Sequence, residues 1–379
     1  MLRNNMKYSF GNQEVSGSAV STYVNENLAW EKKSTSNVGI DMAMFNNRIE
    51  FSAEWFKNKS TDLLYQVAVP LNAGVQNASV TMNAASMENS GLEFSLTYRN
   101  NDHALKHQIS ANISTIRNKV TALSTGKDTQ IDGAYITKVG EEVGKFYGWK
   151  YKGIIRTQAD LDQLNAYAAE HGQASFQPGA QVGDCYYEDI DGDGQINDAD
   201  QTVLGSGLPK MNFGLSAHLE YGNFDLSIST FGALGYHVSD HIYNALNSCY
   251  GYGNKSVEMT DANRWSDSGE YLSNVPRTFS TVTHPGGTLN WNDLFSERQI
   301  QNAAYWKIAN IELGYNIPDK LFGGYVTGAR IYVSAQNLYT FTGYKGYNVD
   351  YAPGVFTPGY NYCSYPSARS IMAGINFTF

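Results

Sequence analysis

The sequence has few charged residues and few cysteines. Charged side chains make up 17% of its 379 residues, well below the roughly 25% of an average soluble domain. Its three cysteines, Cys185, Cys249 and Cys363, show no C-x-x-C spacing, and an odd number cannot close a disulfide framework. The net charge of −9 offers no basic surface. We therefore predict that the protein has no nucleic-acid partner.

Long apolar runs are also lacking. No stretch approaches the roughly 18 apolar residues of a transmembrane helix, and the opening segment MLRNNMKYSF lacks the apolar core of a signal peptide. The motifs of nucleotide-binding, zinc-peptidase and serine-hydrolase sites do not occur in the sequence. We therefore predict that the chain is not an enzyme. A membrane-spanning β-barrel stays compatible with these absences, because alternating strands score poorly on hydropathy.

Tyrosine and glycine are abundant, with 27 Tyr and 36 Gly. Apolar and polar residues alternate along many segments, as where Ile49, Phe51 and Ala53 are separated by polar side chains. This alternation predicts a nearly all-β chain of nine strands and leaves room for another within 2–10. The nine are predicted near 36–45, 48–59, 89–99, 105–121, 210–221, 224–234, 304–316, 329–341 and 368–379.

Short and long connections alternate strictly between these strands. The short ones contain residues that tolerate positive φ, such as Asn46-Asn47 and Gly222-Asn223. The long ones lie near 60–88, 122–209, 235–303 and 342–367. Outer-membrane barrels have short periplasmic turns and long extracellular loops, so we predict that the four long connections are extracellular loops. An ordinary β-sandwich is the alternative that the pattern leaves open.

Aromatic residues occupy two kinds of position. Four of them fall near predicted strand ends, where the aromatic girdles of a barrel lie: Trp55, Tyr98, Trp306 and Tyr315. Others are spread through the long connections, including Trp149, Tyr187, Trp291, Tyr344, Tyr360 and Tyr362. These loop residues either stack on a substrate or partner, or pack the loops together. For any single residue, packing is the stronger expectation.

The segment 189–200 (DIDGDGQINDAD) fits the template of a calcium-binding loop. Its ligands for Ca²⁺ would come from Asp189, Asp191, Asp193, Gln195, Asn197 and Asp200. Gly194 would supply the sharp turn at the sixth position. A solvated acidic turn is the alternative, because Asp200 is shorter than the usual Glu and no helical pattern flanks the loop.

Eight blocks of sequence stand out along the chain. They include the block at 25–65, which begins NENLAWEKK, the block MENSGLEFSLTYRN (87–100) and the block YPSARSIMAGINFTF (365–379). The other blocks lie within 143–157, 182–210, 262–277, 303–318 and 329–350. In content and order, these blocks resemble the C-terminal part of SusC/RagA-type TonB-dependent outer-membrane transporters.

The resemblance implies an all-β fold, the C-terminal part of a large antiparallel transmembrane β-barrel of about 22 strands when complete. Members of that family carry a signal peptide, a TonB-contacting segment and a plug upstream of the barrel. Residues 1–379 contain none of these, so we expect the chain to be a fragment made of barrel alone. In such a barrel, Arg48, Glu50 and Glu54 would face the polar lumen.

The function implied by the resemblance is TonB-dependent import across the cell outer membrane. The substrate would be an oligosaccharide, or a peptide. The implied partners are a SusD-like surface lipoprotein, outer-membrane lipid, and TonB, which would act through the missing N-terminal part. A secreted β-rich binding or adhesin module with a calcium-stiffened loop is the alternative function.

Overall fold

The computed structural model describes residues 2–20, 25–68, 79–123, 126, 128–248, 254–259, 265, 275–277, 291–318, 327–351 and 354–379. In chain order, the strands are β1 (Leu2–Phe10), β2 (Gln13–Val20), β3 (Lys32–Met44), β4 (Ile49–Ala68), β5 (Ser79–Asn100), β6 (Leu105–Leu123), β7 (Thr129–Asp132), β8 (Tyr135–Lys138), β9 (Lys145–Trp149), β10 (Tyr151–Ile154), β11 (Cys185–Tyr187), β12 (Gln201–Gly205), β13 (Met211–Tyr221), β14 (Phe224–Leu234), β15 (His237–Asp240), β16 (Gln301–Asn302), β17 (Tyr305–Ile317), β18 (Gly328–Thr342), β19 (Tyr360–Asn361) and β20 (Ser370–Thr378). The helices are α1 (Gln158–Glu170), α2 (His241–Asn247) and three 3₁₀ turns, Asp198–Asp200, Val257–Met259 and Glu297–Gln299. Among the helices described, none is both long and apolar enough to cross a membrane.

Nine strands form one antiparallel sheet, in the order β20-β18-β17-β14-β13-β6-β5-β4-β3. They coincide with the nine predicted strands, so the predicted all-β fold is confirmed. Each of the seven inner strands pairs with the sheet strand before it and the one after it along the chain, which is the connectivity of an up-and-down sheet. The strand within 2–10 is also present, and it forms a separate hairpin with β2.

Tight turns join the strands at one end of the sheet, as predicted. Between β3 and β4, Phe45, Asn46 and Asn47 adopt φ values of 56°, 56° and 61°. Between β13 and β14, only Gly222 and Asn223 separate the paired residues Tyr221 and Phe224. Asparagine and glycine suit these turns because they tolerate positive φ.

The connection predicted near 60–88 is much shorter than expected. β4 continues to Ala68 and β5 already begins at Ser79. The prediction was wrong because the pairing is interrupted by register shifts around Leu63, and Asp62 has a φ of 59°. Bulges of this kind change which face successive side chains occupy, so the alternation that marks a strand is lost there.

The long connections fold on one another at the opposite end of the sheet. We call their described residues the cap: 128–210, 235–248, 254–259, 265, 275–277, 291–304, 343–351 and 354–369. The cap contains small sheets of the orders β12-β9-β8-β7, β10-β11 and β16-β15-β19. Most of the largest fully buried side chains belong to it, including Trp291, Tyr187, Phe146, Ile155 and Ile196. Every residue of β3, by contrast, is exposed. Most of the apolar core of the described chain therefore lies in the cap, and part of it, such as Met87 and Val120, belongs to strands of the sheet.

The helix α1 within the cap was not predicted. It begins at a capping box in which the Thr157 side chain accepts from the Asp160 N–H and the Asp160 side chain accepts from the Thr157 N–H. Ala168 on its inner side is fully buried. The T-x-x-D spacing is a start signal of the capping-box type, and it is the feature that would have revealed this helix.

Candidate functional site

Two neighbouring rows of paired residues cross all nine strands of the sheet and differ in polarity. The first row is apolar throughout: Met44, Ile49, Tyr98, Ile109, Ala217, Ile228, Ile311, Ala335 and Ile371. The second row is polar from β4 onward: Glu50, Thr97, Ser110, Ser216, Ser229, Asn310, Gln336 and Ser370. Since successive residues of a strand point to opposite sides, the sheet has one apolar face and one polar face.

The apolar face is exposed. Ile109 is 41% exposed, Val333 51% and Ile371 72%. Apolar side chains stabilise a protein in water only to the extent that they are removed from it. This face therefore needs an apolar environment other than the chain's own core.

Aromatic side chains mark two levels of the apolar face. At the cap end, Trp306 stacks on Phe341 with ring centroids 5.4 Å apart. At the other end, Phe224 contacts Tyr315 at 4.8 Å. With a rise of about 3.3 Å per residue along a strand and a strand tilt of about 40° from the barrel axis, the two aromatic levels are about 20 Å apart along that axis. This distance is close to the ~25 Å height of the apolar band of a membrane barrel. Trp306 and Tyr315 thus lie near strand ends as predicted, whereas Trp55 lies inside β4 because that strand is longer than expected.

The polar face carries paired charges. Glu50 forms an ion pair with Arg99 of the adjacent strand. Glu54 accepts a hydrogen bond from the Asn37 side chain at 2.8 Å. Arg48 immediately precedes β4 and has the same parity as both glutamates. The three residues predicted to face a lumen therefore share one side of the sheet.

Part of the cap closes over the polar face. Lys307 of β17 pairs with Phe231 of β14, and its side chain is only 6% exposed. Its Nζ lies 3.3 Å from Asp350 Oδ2 and 5.6 Å from the Phe231 ring centroid. Asp350 follows β18 in the cap, so the last long connection lies against the polar side of the strands.

The acidic loop brings its first three carboxylates together. Ligand oxygens of Asp189, Asp191 and Asp193 lie within 4.8 Å of one another. Asp189 accepts hydrogen bonds from the N–H groups of Gly192 and Gly194, at 2.8 and 2.9 Å. Gly194 has a φ of 85°, as the sharp turn at its position requires. The arrangement concentrates negative charge at one point of the cap surface.

The other predicted ligands brace this loop. Asp200 is fully buried, and its two oxygens accept from the N–H groups of Ile190 and Asn197, both at 2.8 Å. Burial raises the pKa of the Asp200 carboxyl above its ordinary value, although these two hydrogen bonds oppose the effect. The Asn197 side chain donates to the Gln195 carbonyl at 3.1 Å and to Asp193 Oδ2 at 3.3 Å. The first three predicted ligands thus have their oxygens close together, whereas the other three make hydrogen bonds that support the loop.

The loop is anchored in the cap core. Ile196 is fully buried in the same cluster as Trp149. The indole Nε1 of Trp149 donates to the Asn197 carbonyl at 2.9 Å. The Tyr167 hydroxyl of α1 donates to Asp189 Oδ2 at 3.3 Å. These contacts hold the acidic loop in one position relative to α1.

A buried ion pair that the sequence did not reveal joins two of the long connections. Asp184 is 1% exposed and accepts from Arg277 Nε at 2.6 Å and Nη2 at 3.0 Å. Asn292 Nδ2 donates to the same carboxylate at 2.9 Å. These partners are 93 and 108 residues away along the chain, so no local motif marks them.

The loop aromatics divide into two groups. Four are buried in the cap, which confirms the packing role for them: Trp149, Tyr187, Trp291 and Tyr344. Tyr360 and Tyr362 are 37% and 65% exposed. Two further loop tyrosines, at 250 and 252, lie outside the described residues.

Comparisons with known proteins show what the chain is similar to. The chain is 30% identical to TonB-dependent receptor P3 of Formosa agariphila over 388 aligned residues, which cover 97% of this chain and 36% of that protein. It is 26% identical to TonB-dependent receptor SusC of Bacteroides thetaiotaomicron, covering 98% of this chain and 34% of SusC. No protein-family model matches the chain.

The resemblance to SusC/RagA-type TonB-dependent transporters is confirmed. A solved structure of the RagAB peptide transporter superposes on this chain with a TM-score of 0.74 and 23% identity, and the match covers 100% of this chain and 38% of the transporter chain. At that identity the likeness concerns the fold, and it confirms the predicted fold class of a large barrel's antiparallel wall. The chain spans about a third of the length of the curated relatives it matches.

Proposed function

We propose that this chain forms part of the wall of a TonB-dependent importer in the bacterial outer membrane. The observation that carries the proposal is the apolar row that crosses all nine strands of the sheet, from Met44 to Ile371. In this arrangement the exposed apolar face contacts lipid and the polar face, with Glu50 and Glu54, lines the lumen. The similarity to TonB-dependent receptors supports the same interpretation.

The edges of the sheet support a larger barrel. β3 and β20 each have one hydrogen-bonded neighbour among the described strands. In lipid, every unpaired backbone group costs several kcal/mol, so each edge must pair with another strand. We propose that further strands of the same transporter, about 22 in total, close the barrel.

The proposed cargo is an oligosaccharide, or a peptide. Import would draw energy from TonB, which acts through the rest of the transporter, and a SusD-like surface lipoprotein would cover the cap. The chain would guide and gate its substrate without covalent chemistry. The polar face supports passage of a hydrophilic cargo, because its side chains offer hydrogen bonds to a solute that leaves bulk water.

Membrane fractionation tests the proposal. The protein should pellet with outer membranes, resist carbonate extraction and require detergent for solubility, because its apolar face is stable only against lipid. A chain that stays in the carbonate supernatant and folds as a monomer in buffer would contradict it and would favour the secreted adhesin. A periplasmic soluble protein and a known porin serve as controls in the same preparation.

We further propose that the acidic loop binds Ca²⁺. Ligand oxygens of the three carboxylates lie within 4.8 Å of one another, and hard oxygen ligands of this kind suit Ca²⁺. The groups that donate to Asp189 leave a lone pair for a cation on Oδ1, which accepts only from the Gly192 N–H, whereas Oδ2 accepts from both the Gly194 N–H and the Tyr167 hydroxyl. Gln195, Asn197 and Asp200 would complete or support the site. Bound Ca²⁺ would relieve the repulsion among Asp189, Asp191 and Asp193 and stiffen the loop.

Calorimetric titration of Ca²⁺ tests this site. The wild-type protein should release or absorb binding heat that Asp191→Ala abolishes, because the variant removes one of the three converging carboxylates. Asp132→Ala is the matched control, since Asp132 is an exposed carboxylate of β7 outside the cluster. Absence of heat with the wild type would refute the site, as would equal heats with wild type and Asp191→Ala.

A further inference from the structure

The apolar face of the sheet gives way to charged residues at its cap end. Its last apolar residues on β3, β4 and β5 are Val38, Trp55 and Leu92, which pair with one another across the three strands. Val38 is 72% exposed and Trp55 42%. Beyond them, the same side of the strands carries lysine and arginine. The apolar face therefore ends abruptly on this part of the sheet.

The charged residues beyond Trp55 form a compact group. We call this group the basic patch, and its members are Lys57 and Lys59 of β4 with Arg117 and Lys119 of β6. On β5, between them, Ser90 pairs with Lys57 and Arg117, and Glu88 pairs with Lys59 and Lys119. Paired residues point to one side of a sheet, and neighbouring strands are about 4.8 Å apart. The cations of each pair are therefore about 10 Å apart at the backbone, on the lipid side of the sheet.

Most of the positive charge of the basic patch is uncompensated. Glu88 Oε1 lies 2.9 Å from Lys57 Nζ, which balances one of the four cations. The other three are exposed and form no ion pair with any residue that the structure describes: Lys59, Arg117 and Lys119. Like charges at this spacing repel one another, so an anion that binds among them is stabilised. This local surplus contrasts with the net charge of −9 of the whole chain.

The basic patch lies at the depth of lipid headgroups if the apolar face lies in a membrane. With a rise of about 3.3 Å per residue and a strand tilt of about 40°, Lys57 and Lys59 lie about 5 and 10 Å beyond Trp55 along the barrel axis. The headgroup region adds about 5–7 Å to each side of the hydrocarbon core, and tryptophan is enriched at its boundary. Long basic side chains place their charged ends in that region while their stems cover apolar surface.

We propose that the basic patch binds the phosphorylated headgroup of a lipid in the membrane leaflet on the cap side. The proposal rests on the membrane location proposed above. The Arg117 guanidinium can donate two parallel hydrogen bonds to phosphate oxygens, and the ammonium groups of Lys59 and Lys119 add positive charge on either side. The acyl chains of the same lipid would pack on Trp55 and Leu92.

Charge and position together favour a phosphorylated lipid over other occupants. A zwitterionic headgroup carries its own cation, so it gains less from the uncompensated lysines. An acidic protein would match the charge, but it would not bury the exposed apolar residues that adjoin the basic patch, such as Val38 and Trp55. A lipid with a phosphate headgroup satisfies both the charged and the apolar part of this surface.

Native mass spectrometry tests the proposal on the whole protein as the cell makes it, purified from outer membranes in a neutral detergent. The probes are dioleoyl phosphatidic acid, dioleoyl phosphatidylcholine and inorganic phosphate. The wild type should retain phosphatidic acid with an affinity about tenfold or more above that for phosphatidylcholine. Replacing both free cations of β6, Arg117→Gln with Lys119→Gln, should weaken this binding by about ten- to thirtyfold.

Two further variants control for indirect effects. Lys33→Gln with Lys106→Gln removes two cations from the polar side of the same sheet, where Lys33 pairs with Ser60 and Lys106 with Glu220, and should leave lipid binding unchanged. Glu88→Gln removes the carboxylate of the basic patch and should tighten phosphatidic acid binding several-fold, a gain that misfolding cannot produce. A heat-induced gel shift shows whether each variant is a folded barrel. If the β6 double variant is not folded, Glu88→Gln decides the test.

Equal affinities for the two lipids would overturn the proposal, as would unchanged binding in the folded β6 variant or in Glu88→Gln. Displacement of the lipid by inorganic phosphate at equal concentration would show a phosphate site without lipid selectivity. Retention of an acidic protein in place of lipid would show a protein interface, and either result overturns the lipid site. A protein that carbonate extracts from the membrane contradicts the proposed barrel wall, whereas a membrane-integral protein without selective lipid retention contradicts the basic patch alone.

Discussion

Replacing Arg277 by methionine should release part of the cap. The substitution leaves the Asp184 carboxylate, which is 1% exposed, without the two hydrogen bonds of 2.6 and 3.0 Å that it receives from Arg277. Removal of one partner of a buried ion pair costs about 3–5 kcal/mol, because an uncompensated charge stays buried. Asp184→Asn should cost less, about 1–3 kcal/mol, since Arg277 is 21% exposed and can reach water.

Hydrogen exchange measures this loss where it occurs. The Ile155 N–H donates to the Asp184 carbonyl at 2.9 Å, and the Gly183 N–H donates to the Ile155 carbonyl at 2.7 Å. If the ion pair holds this segment, Arg277→Met lowers the protection of both amides by about two to four orders of magnitude, the equivalent of 3–5 kcal/mol. The strand amides of β13 should keep their protection.

A matched surface pair provides the control. Lys32 and Asp62 form an ion pair at 2.9 Å, but their side chains are 74% and 39% exposed. Such pairs contribute about 0–1 kcal/mol, so Lys32→Met should change exchange at its site by a few-fold at most. Protection of Gly183 and Ile155 that stays within a few-fold of wild type in Arg277→Met would refute the assigned role of the ion pair.

Two further predictions concern the sheet and the cap. Ile311→Lys places a charge on the apolar row near the middle of β17 and should destabilise the barrel in lipid by about 2–4 kcal/mol. The loss should be visible as a lower unfolding temperature in a gel-shift assay, whereas Asn310→Lys, on the polar face, should leave that temperature unchanged. Equal effects of the two substitutions would contradict the assignment of the two faces. Burial raises the pKa of Tyr187 well above its ordinary value of about 10. As the pH rises past about 10, Tyr187 therefore loses its proton in the unfolded chain before it does so in the folded one, and the free energy of unfolding of the cap should fall. Tyr187→Phe should reduce this alkaline loss in a pH series of hydrogen exchange but not abolish it, because burial also raises the pKa of other cap tyrosines such as Tyr344; an unchanged pH profile would argue against the assignment.

Much of the sheet was predictable because its signal is local. Alternation at Ile49, Phe51 and Ala53 reports a strand with two different sides, and positive-φ residues at Asn46-Asn47 report the turn that follows β3. The failure near 60–88 has a physical cause. Register shifts beside Leu63 move apolar side chains to the other face, so β4 continues without the periodicity that marks a strand.

The candidate sites were predictable to different degrees. The acidic loop is contiguous in sequence, so its spacing alone placed Asp189, Asp191 and Asp193 together. Its support was not predictable, because Tyr167 reaches Asp189 from a helix 22 residues away. The ion pair of Asp184 was not predictable either, because Arg277 and Asn292 are 93 and 108 positions away.

Most of the strand pattern, the two faces of the sheet and the acidic loop could be predicted from the amino-acid sequence, because each depends on residues a few positions apart. The position of the core and the packing of the long connections could not. The Asp184–Arg277 and Lys307–Asp350 ion pairs bring together distant segments. Their stability depends on burial and on partner geometry, which arise only when those segments have folded against one another.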